Sequence, residues 1–480
     1  MPVDSTHAQY DAALPKWQRA RDVLAGEDAL KAAAEKYVPR LDSQTDAEFA
    51  AYINRACFYN AVARTLEGYG GLVFRRDPVM HLPEGPMWKD FENDVDLIGT
   101  SLYLYCKQIF AEVIGLGRCG TLIDWENDEA RPFFSLYKAE QILNWRMARV
   151  DGKNRLVLVV LAEDGPPVID EDHDEFQAEV VPQIRVMRLI PRGETGSCAV
   201  EIFQQQKKEG KKEKEWVSVG SLTPLRRGLP LPGIPFVFHG PKHGSPDVAK
   251  PPLEDVITVN LDHYRLDADF KHGLHFTAMP TAWVSGFPAD SQLRVGATTA
   301  WVTETAGATA GYLEFTGQGL MTHERAQDRD ERLMALLGSR MLEGQKKVAE
   351  TAQALAIQHA AEGSVLANMA TSMSRTITDA LRWVYWWQST EAMPEDVTRE
   401  QVALDLNVDY ETAKMTSDEL NALVAAWQAG AISRESMHDL MRQGEVLADT
   451  RSNQEEAELI EADASHMPKA KDSQQAARPV

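Results

Sequence analysis

The stretch VIGLGRCGTLIDW, residues 113–125, carries glycines at 115, 117 and 120 in the G-x-G-x-x-G spacing of a dinucleotide-binding loop. In such a loop a strand precedes the glycines and a helix follows, so that free N–H groups at the helix N-terminus meet the pyrophosphate. Here the order is reversed. Residues 98–114, IGTSLYLYCKQIFAEVI, place Leu102, Tyr105, Cys106, Ile109, Phe110, Val113 and Ile114 at helical i, i+3, i+4 intervals. TLIDW, after the glycines, has strand character. A phosphate would therefore meet a helix C-terminus, whose partial charge is negative. The acid expected about 20 positions on is Glu140, and no βαβ unit connects it. The glycines predict a helix C-cap and a tight helix-to-strand corner.

On the N-terminal side, residues 16–67 read as helical. The longest piece, residues 45–68, opens with a Thr45/Glu48 capping box and is stopped by Gly68, Gly70 and Gly71. LVFRR (72–76) reads as a short strand ended by Pro78. On the C-terminal side, residues 133–240 turn to strands: RLVLVVLAE, QIRVMRLI, CAVEIFQQQ and EWVSVG. KKEGKKEKE (207–215) reads as a solvated hairpin tip, and the Pro/Gly-rich 228–246 as a crossing segment. A helix is predicted over 253–272, alternating segments over 274–320, and helices from 322 to 388. A capped helical pair follows at 416–444. The polar, aperiodic end of the chain reads as mostly disordered.

The 480 residues contain 50 basic and 72 acidic side chains, a net charge of −22. Such a chain repels phosphate at long range, which disfavours an intimate grip on nucleic acid but not its passage. The four cysteines form no C-x-x-C pair and read as free thiols. The first residues lack the charged and apolar regions of a signal peptide, and no apolar run is long enough to span a membrane.

Three further clusters bear on chemistry. DHYRLDADFKHGLH (262–275) puts His263 and Asp267 on one helix face, with His272 a turn further on. That pattern allows a metal-dependent hydrolase as an alternative reading, against a polar helix exposed over most of its surface, with Arg265 and Lys271 in ion pairs. LRWVYWWQ (381–388) spreads Trp383, Trp386 and Trp387 around a helix, which predicts core or subunit-interface burial. The helical pair at 416–444 has the outline of a helix-turn-helix, but its second helix mixes Glu435 and Asp439 with Arg434 and Arg442. It does not read as a base-reading helix. No nucleophile elbow, P-loop or Cys/His dyad is present.

The order of several stretches resembles the portal (head-to-tail connector) proteins of tailed bacteriophages. These stretches are YINRACFYNAVARTLEGYGGLVFRRDP, GTSLYLYCKQIFAEVIGLGRCGTLIDW, AEQILNWRMARVDGKNRLVLVVLAE, PLEDVITVNLDHYRLDADFKHGLHF, GYLEFTGQGL with RLMALLGSRML, and LVAAWQAGAISRE. The resemblance implies an α+β, mainly helical chain with wing, stem, clip and crown parts, assembling as a ring of twelve subunits. By that likeness residues 1–250 form the wing (helical to 132, β-rich from 133), 251–273 a stem helix, and 274–321 the clip and channel loops. Residues 322–400 form long wing helices, 401–447 the crown, and 448–480 a disordered tail. It implies no catalytic residue, cofactor or metal. Its partners would be terminase, the major capsid and scaffolding proteins, a head–tail adaptor, and double-stranded DNA passing without sequence-specific contact. Its place would be the capsid vertex of the virion, after assembly in the host cytoplasm. The family's second stem helix has no counterpart legible between 280 and 320. Asp262, Arg265, Asp269 and Lys271 are the stem candidates for setting the channel potential.

Overall fold

A computed structural model describes residues 2–150, 152–168, 179–192, 195–207, 214–242, 244–277, 281–288, 301–313, 318–340, 364–410, 417–444, 446–447 and 452–466. Helix and strand are mixed in one chain. The helices are α1 (Ala8–Ala25), α2 (Glu27–Ala33), α3 (Asp46–Arg55), α4 (Ala61–Val73), α5 (Pro86–Asn93), α6 (Leu102–Leu116), α7 (Glu254–Thr277), α8 (Gln318–Arg340), α9 (Val365–Gln388), α10 (Ser417–Gln428), α11 (Arg434–Gln443) and α12 (Asn453–His466). The strands are β1 (Val79–His81), β2 (Cys119–Glu126), β3 (Arg131–Lys138), β4 (Ile142–Val150), β5 (Lys153–Val168), β6 (Glu179–Arg192), β7 (Thr195–Lys207), β8 (Lys214–Leu222), β9 (Leu225–Arg226), β10 (Leu229–Pro230), β11 (Phe236–His239), β12 (Thr281–Ser285), β13 (Thr309–Leu313) and β14 (Ala403–Asp405). Two compact units divide at Asp409/Tyr410.

The glycine corner forms as predicted. Gly117 caps α6 in the left-handed region at φ +84°, its N–H donating to the Val113 carbonyl. A Cβ there would sit 3.0 Å from the Ala249 carbonyl oxygen. Gly120, on β2, lies under the Phe236 ring, and a Cβ would come within 2.2 Å of its Cζ. The corner feeds an antiparallel sheet in the order β11–β2–β3, with Phe238 opposite Gly120. Beyond it β4 to β8 run as a five-stranded antiparallel meander. The β7–β8 pairing extends to Lys207 and Lys214; the basic tip between them lies outside the described residues.

One buried polar chain crosses the centre of the first unit. Tyr105 Oη on α6 meets Thr121 Oγ1 on β2 at 2.8 Å. Thr121 Oγ1 meets His239 Nε2 on β11 at 2.7 Å, and His239 Nδ1 meets Thr376 Oγ1 on α9 at 2.8 Å. Burial with neutral partners pushes the His239 imidazole down to about 3. Around it Trp17 is fully buried and donates from its indole to the Leu116 carbonyl. Arg21 forks onto Glu112 and also holds Glu140, tying α1 to α6 and to the turn before β4.

Several elements differ from the sequence reading. The helix expected over residues 45–68 is broken into α3 and α4. The Thr45/Glu48 capping box is present, but residues 56–60 leave the helix and Asn60 caps α4 through Ala63 N–H. Carboxylates from elsewhere take the freed N–H groups: Cys57 N donates to Asp267 and Phe58 N to Glu27. The three glycines do not stop α4, which runs on to Val73, and the strand expected at 72–76 appears instead as β1. β14 pairs with β1, and Leu404 and Leu406 bond Thr378 and Ser374 on α9. Residues 401–409 therefore belong to the first unit and not with the helical pair α10–α11. The tail expected to lack structure carries α12. The helix expected over 346–363 lies outside the described residues.

Two outcomes test this core. Gly120→Ala forces Phe236 to move and costs about 1–3 kcal/mol, read as a lowered Tm. For His239 the folded-state value lies below the ordinary 6.5, so the unfolded chain binds the proton first. Its contribution is level above that pH and declines as pH falls, by up to about 1.4 kcal/mol per unit. His239→Gln lowers stability at neutral pH but flattens the Tm decline between about pH 6.5 and 5; equal slopes in the two proteins would refute the assignment.

Candidate functional site

Between β11 and α9 the chain leaves the body and returns. α7 goes out, β12 and β13 form a two-stranded antiparallel hairpin, and α8 comes back. α8 runs antiparallel to α7. Gly273 lies against Leu320, Gln327 Nε2 reaches Asp267 Oδ1 at 3.4 Å, and His263 Nε2 faces Glu331 Oε1 at 3.6 Å. α8 is thus the returning partner of α7, where the sequence reading placed residues from 322 among the wing helices. The base of α7 is embedded. Leu253, Val256, Ile257, Leu261, Tyr264 and Ala268 are buried, whereas Leu274, His275 and Phe276 at its far end are exposed.

The polar residues of α7 sort into two groups. Asn260, His263 and Asp267 are buried. Asn260 accepts from Val62 N and donates to the Tyr59 carbonyl, while Asp267 accepts from Cys57 N and holds Lys271 Nζ at 3.2 Å. These side chains supply partners to the break between α3 and α4. Asp269 belongs with them, accepting the Tyr52 hydroxyl at 2.5 Å, and burial and the Asp269 carboxylate raise that phenol well above its ordinary value. The second group, Asp255, Thr258 and Asp262, is exposed at helical spacing, with Asp255 on Lys250 and Asp262 on Arg265. Of the four stem candidates, Asp262 and Arg265 pair with each other, Asp269 reaches Tyr52 on α3, and Lys271 pairs with Asp267 on α7 itself. α7 is not the mostly exposed helix its composition suggests.

The three side chains of the hydrolase alternative are committed elsewhere. His263 faces α8, Asp267 is committed to Cys57 N and Lys271, and His272 packs edge-on against Tyr52 at 5.1 Å. Burial and the nearby Arg55 lower the His272 imidazole. The three do not converge, and among the described residues no group of three or more His, Cys, Asp or Glu side chains is arranged to hold a metal ion.

The tryptophans of α9 pack inside the first unit. Trp386 is 2 % exposed, lies under the Arg226 guanidinium at 4.0 Å and meets Trp383 edge-on. Trp387 packs on Trp125 at 5.4 Å, and Trp383 borders Gly233. Sequence reasoning missed α8 as the partner of α7 because the residues that α8 half-buries include His323, Gln327 and Asp330. A seam with polar members at 3–4 spacing gives little hydrophobic periodicity. It also missed the exposed aromatics of the hairpin, Trp283 and Tyr312.

Residues 252–388, from the start of α7 to the end of α9, match the family described as "Domain of unknown function (DUF4055)". No curated protein matches the chain. Among solved structures it is similar to a chain of the "Virion of native gene transfer agent (GTA) particle", with 11 % identity over 86 % of this chain and 98 % of that one, at a TM-score of 0.39. It is also similar to chains of the "Neck of empty GTA particle computed with C6 symmetry" (12 % identity; 85 % and 97 % covered; TM-score 0.39) and the "Neck of native GTA particle computed with C12 symmetry" (12 %; 86 % and 98 %; 0.39). Among the described residues no helix is long and apolar enough to cross a membrane.

The two groups on α7 predict opposite mutational outcomes. Asp262→Lys breaks an exposed pair and changes stability by less than about 1 kcal/mol. Asp267→Ala strips a buried N–H and an ammonium of their acceptor and costs about 2–4 kcal/mol. Urea melts of the two variants measure the difference.

Proposed function

We propose that this chain is the subunit of a phage portal. Such a portal is a ring at one capsid vertex through which genomic DNA is packaged and later ejected, docking a terminase motor first and the tail connector afterwards. The observation that carries the reading is the α7–hairpin–α8 excursion. A helix leaves a mixed body, a hairpin turns, and a second helix returns along the first, as the stem-and-clip arrangement implied by the sequence resemblance requires. On this reading α7 and α8 are the stem, β12–β13 belong to the clip, the first unit supplies the wing, and α10–α11 the crown.

The electrostatics support it. A motor-driven duplex must slide, and clustered Lys/Arg contacts to phosphate would act as a brake. Twelve copies at −22 each carry −264 formal charges, and the open face of α7 presents Asp255 and Asp262 beside single cations instead of a basic stripe. The ring needs no cofactor and no metal. Its partners are further copies of itself, the terminase, the capsid and scaffolding proteins, and a head–tail adaptor.

Negative-stain images of the purified chain are expected to show twelvefold rings with a central hole; a compact monomer at all concentrations overturns the proposal. In a packaging assay the Asp255→Lys/Asp262→Lys double variant is expected to assemble but package less DNA. Unchanged packaging would remove these residues from the channel potential.

A further inference from the structure

A cavity of about 260 Å³ opens where α1, the 3-10 turn Ala34–Lys36 and the base of α7 meet. Arg19 from α1, Lys36 from the turn and Arg265 from α7 line it, with Pro15, Tyr37, Thr258 and Leu261 completing the wall. Three cations from three separate elements face one small space in a chain whose net charge is −22.

Each cation meets a carboxylate: Arg19 meets Glu254 at 3.1 Å, Lys36 Asp22 at 2.9 Å, and Arg265 Asp262 at 2.6 Å. Glu254 is shared with Lys16, also at 3.1 Å, so four cations stand against three carboxylates and a positive charge is left over. The carboxylates do not exhaust the donors. A guanidinium has five N–H groups and an ammonium three. Arg265 spends Nε on the Tyr37 carbonyl and Nη1 on Asp262, and Arg19 Nε is buried without a hydrogen-bond partner. A buried, unpaired charged donor is costly unless something accepts from it.

We propose that this cavity binds a phosphate group. The donors arrive from three directions, which suits the several acceptor oxygens of a tetrahedral anion better than the two oxygens of a planar carboxylate. Tyr37 and Leu261 narrow the space to something small. The group has two sources: free inorganic phosphate, or a phosphodiester of a polynucleotide backbone. The inference does not depend on the ring reading.

The test is a melting-temperature titration of the full chain with inorganic phosphate, against sodium chloride at matched ionic strength, because a ligand bound only to the folded state raises Tm. A parallel arm uses a short DNA duplex as competitor. Phosphate is expected to raise Tm beyond the salt control. Arg19→Gln and Lys36→Gln are each expected to weaken apparent affinity by about tenfold, the loss of one charge-assisted hydrogen bond. Arg399→Gln, at the exposed pair with Asp405, leaves it unchanged. Circular dichroism establishes that each variant is folded, and Arg265→Gln replaces any that is not. A duplex that displaces phosphate, and loses affinity in the same variants, identifies the phosphodiester as the source; a duplex without effect identifies the free anion. No shift beyond the salt control in either arm, or a shift that survives both substitutions, overturns the site.

Discussion

The first unit depends on the hydrogen bond between His239 and Thr376. His239 ends β11, and Thr376 lies in the first half of α9. More than a hundred residues of chain, including α7, the hairpin and α8, lie between them. Closing so long a loop has an entropic cost that grows only with the logarithm of its length, but the closure must be made by something specific. A buried imidazole with a hydroxyl on each nitrogen is specific in a way apolar packing is not. It fixes rotation as well as distance, and a misplaced partner leaves a polar group unsatisfied. Tyr105 and Thr121 extend the same chain to α6 and β2, so both sides of the glycine corner are held to the two elements that flank the excursion.

The second constraint is the reciprocal use of polar groups between α7 and the α3–α4 break. Residues 56–60 leave the helix, which takes the intrahelical partners from the N–H groups of Cys57 and Phe58. Asn260 and Asp267 on α7 and Glu27 on α2 accept from Val62, Cys57 and Phe58. Two of the polar side chains that make α7 look like a solvent-facing helix, Asn260 and Asp267, therefore help α3 and α4 to separate.

This accounts for what the sequence discloses. The glycine corner, the capping box at Thr45, the meander and the tryptophan-rich helix all follow from local chemistry, since an αL position, a cap or a period of two is written within a few residues. The break after Arg55 is not, because its cause lies some two hundred residues away in Asp267 and Asn260. The role of α8 is hidden for a related reason: its seam is partly polar. The sequence put Arg265 and Lys271 alike in ion pairs on an exposed helix, and Arg265 does pair with Asp262 there. Asp269 and Lys271 have the same kind of side chains, and only the fold places Asp269 on the Tyr52 hydroxyl and Lys271 on Asp267. The cationic cavity was likewise out of reach, because Arg19, Lys36 and Arg265 are joined by tertiary packing and by no motif.

The pairing of α7 with α8 has a mechanical consequence. Two antiparallel helices joined at their far end by a hairpin share an axial load, so a push on the hairpin reaches the body at two places at once. Along α7 it arrives at the cluster of Leu253, Ile257 and Tyr264; along α8 it arrives beside Tyr69, whose hydroxyl holds the Gly338 carbonyl at 2.6 Å. Both points lie against α4 or its immediate neighbours. The excursion therefore behaves as a strut with a two-point footing. Thrust along it is borne by compression of a packed core, and only a sideways force would pry the footing apart.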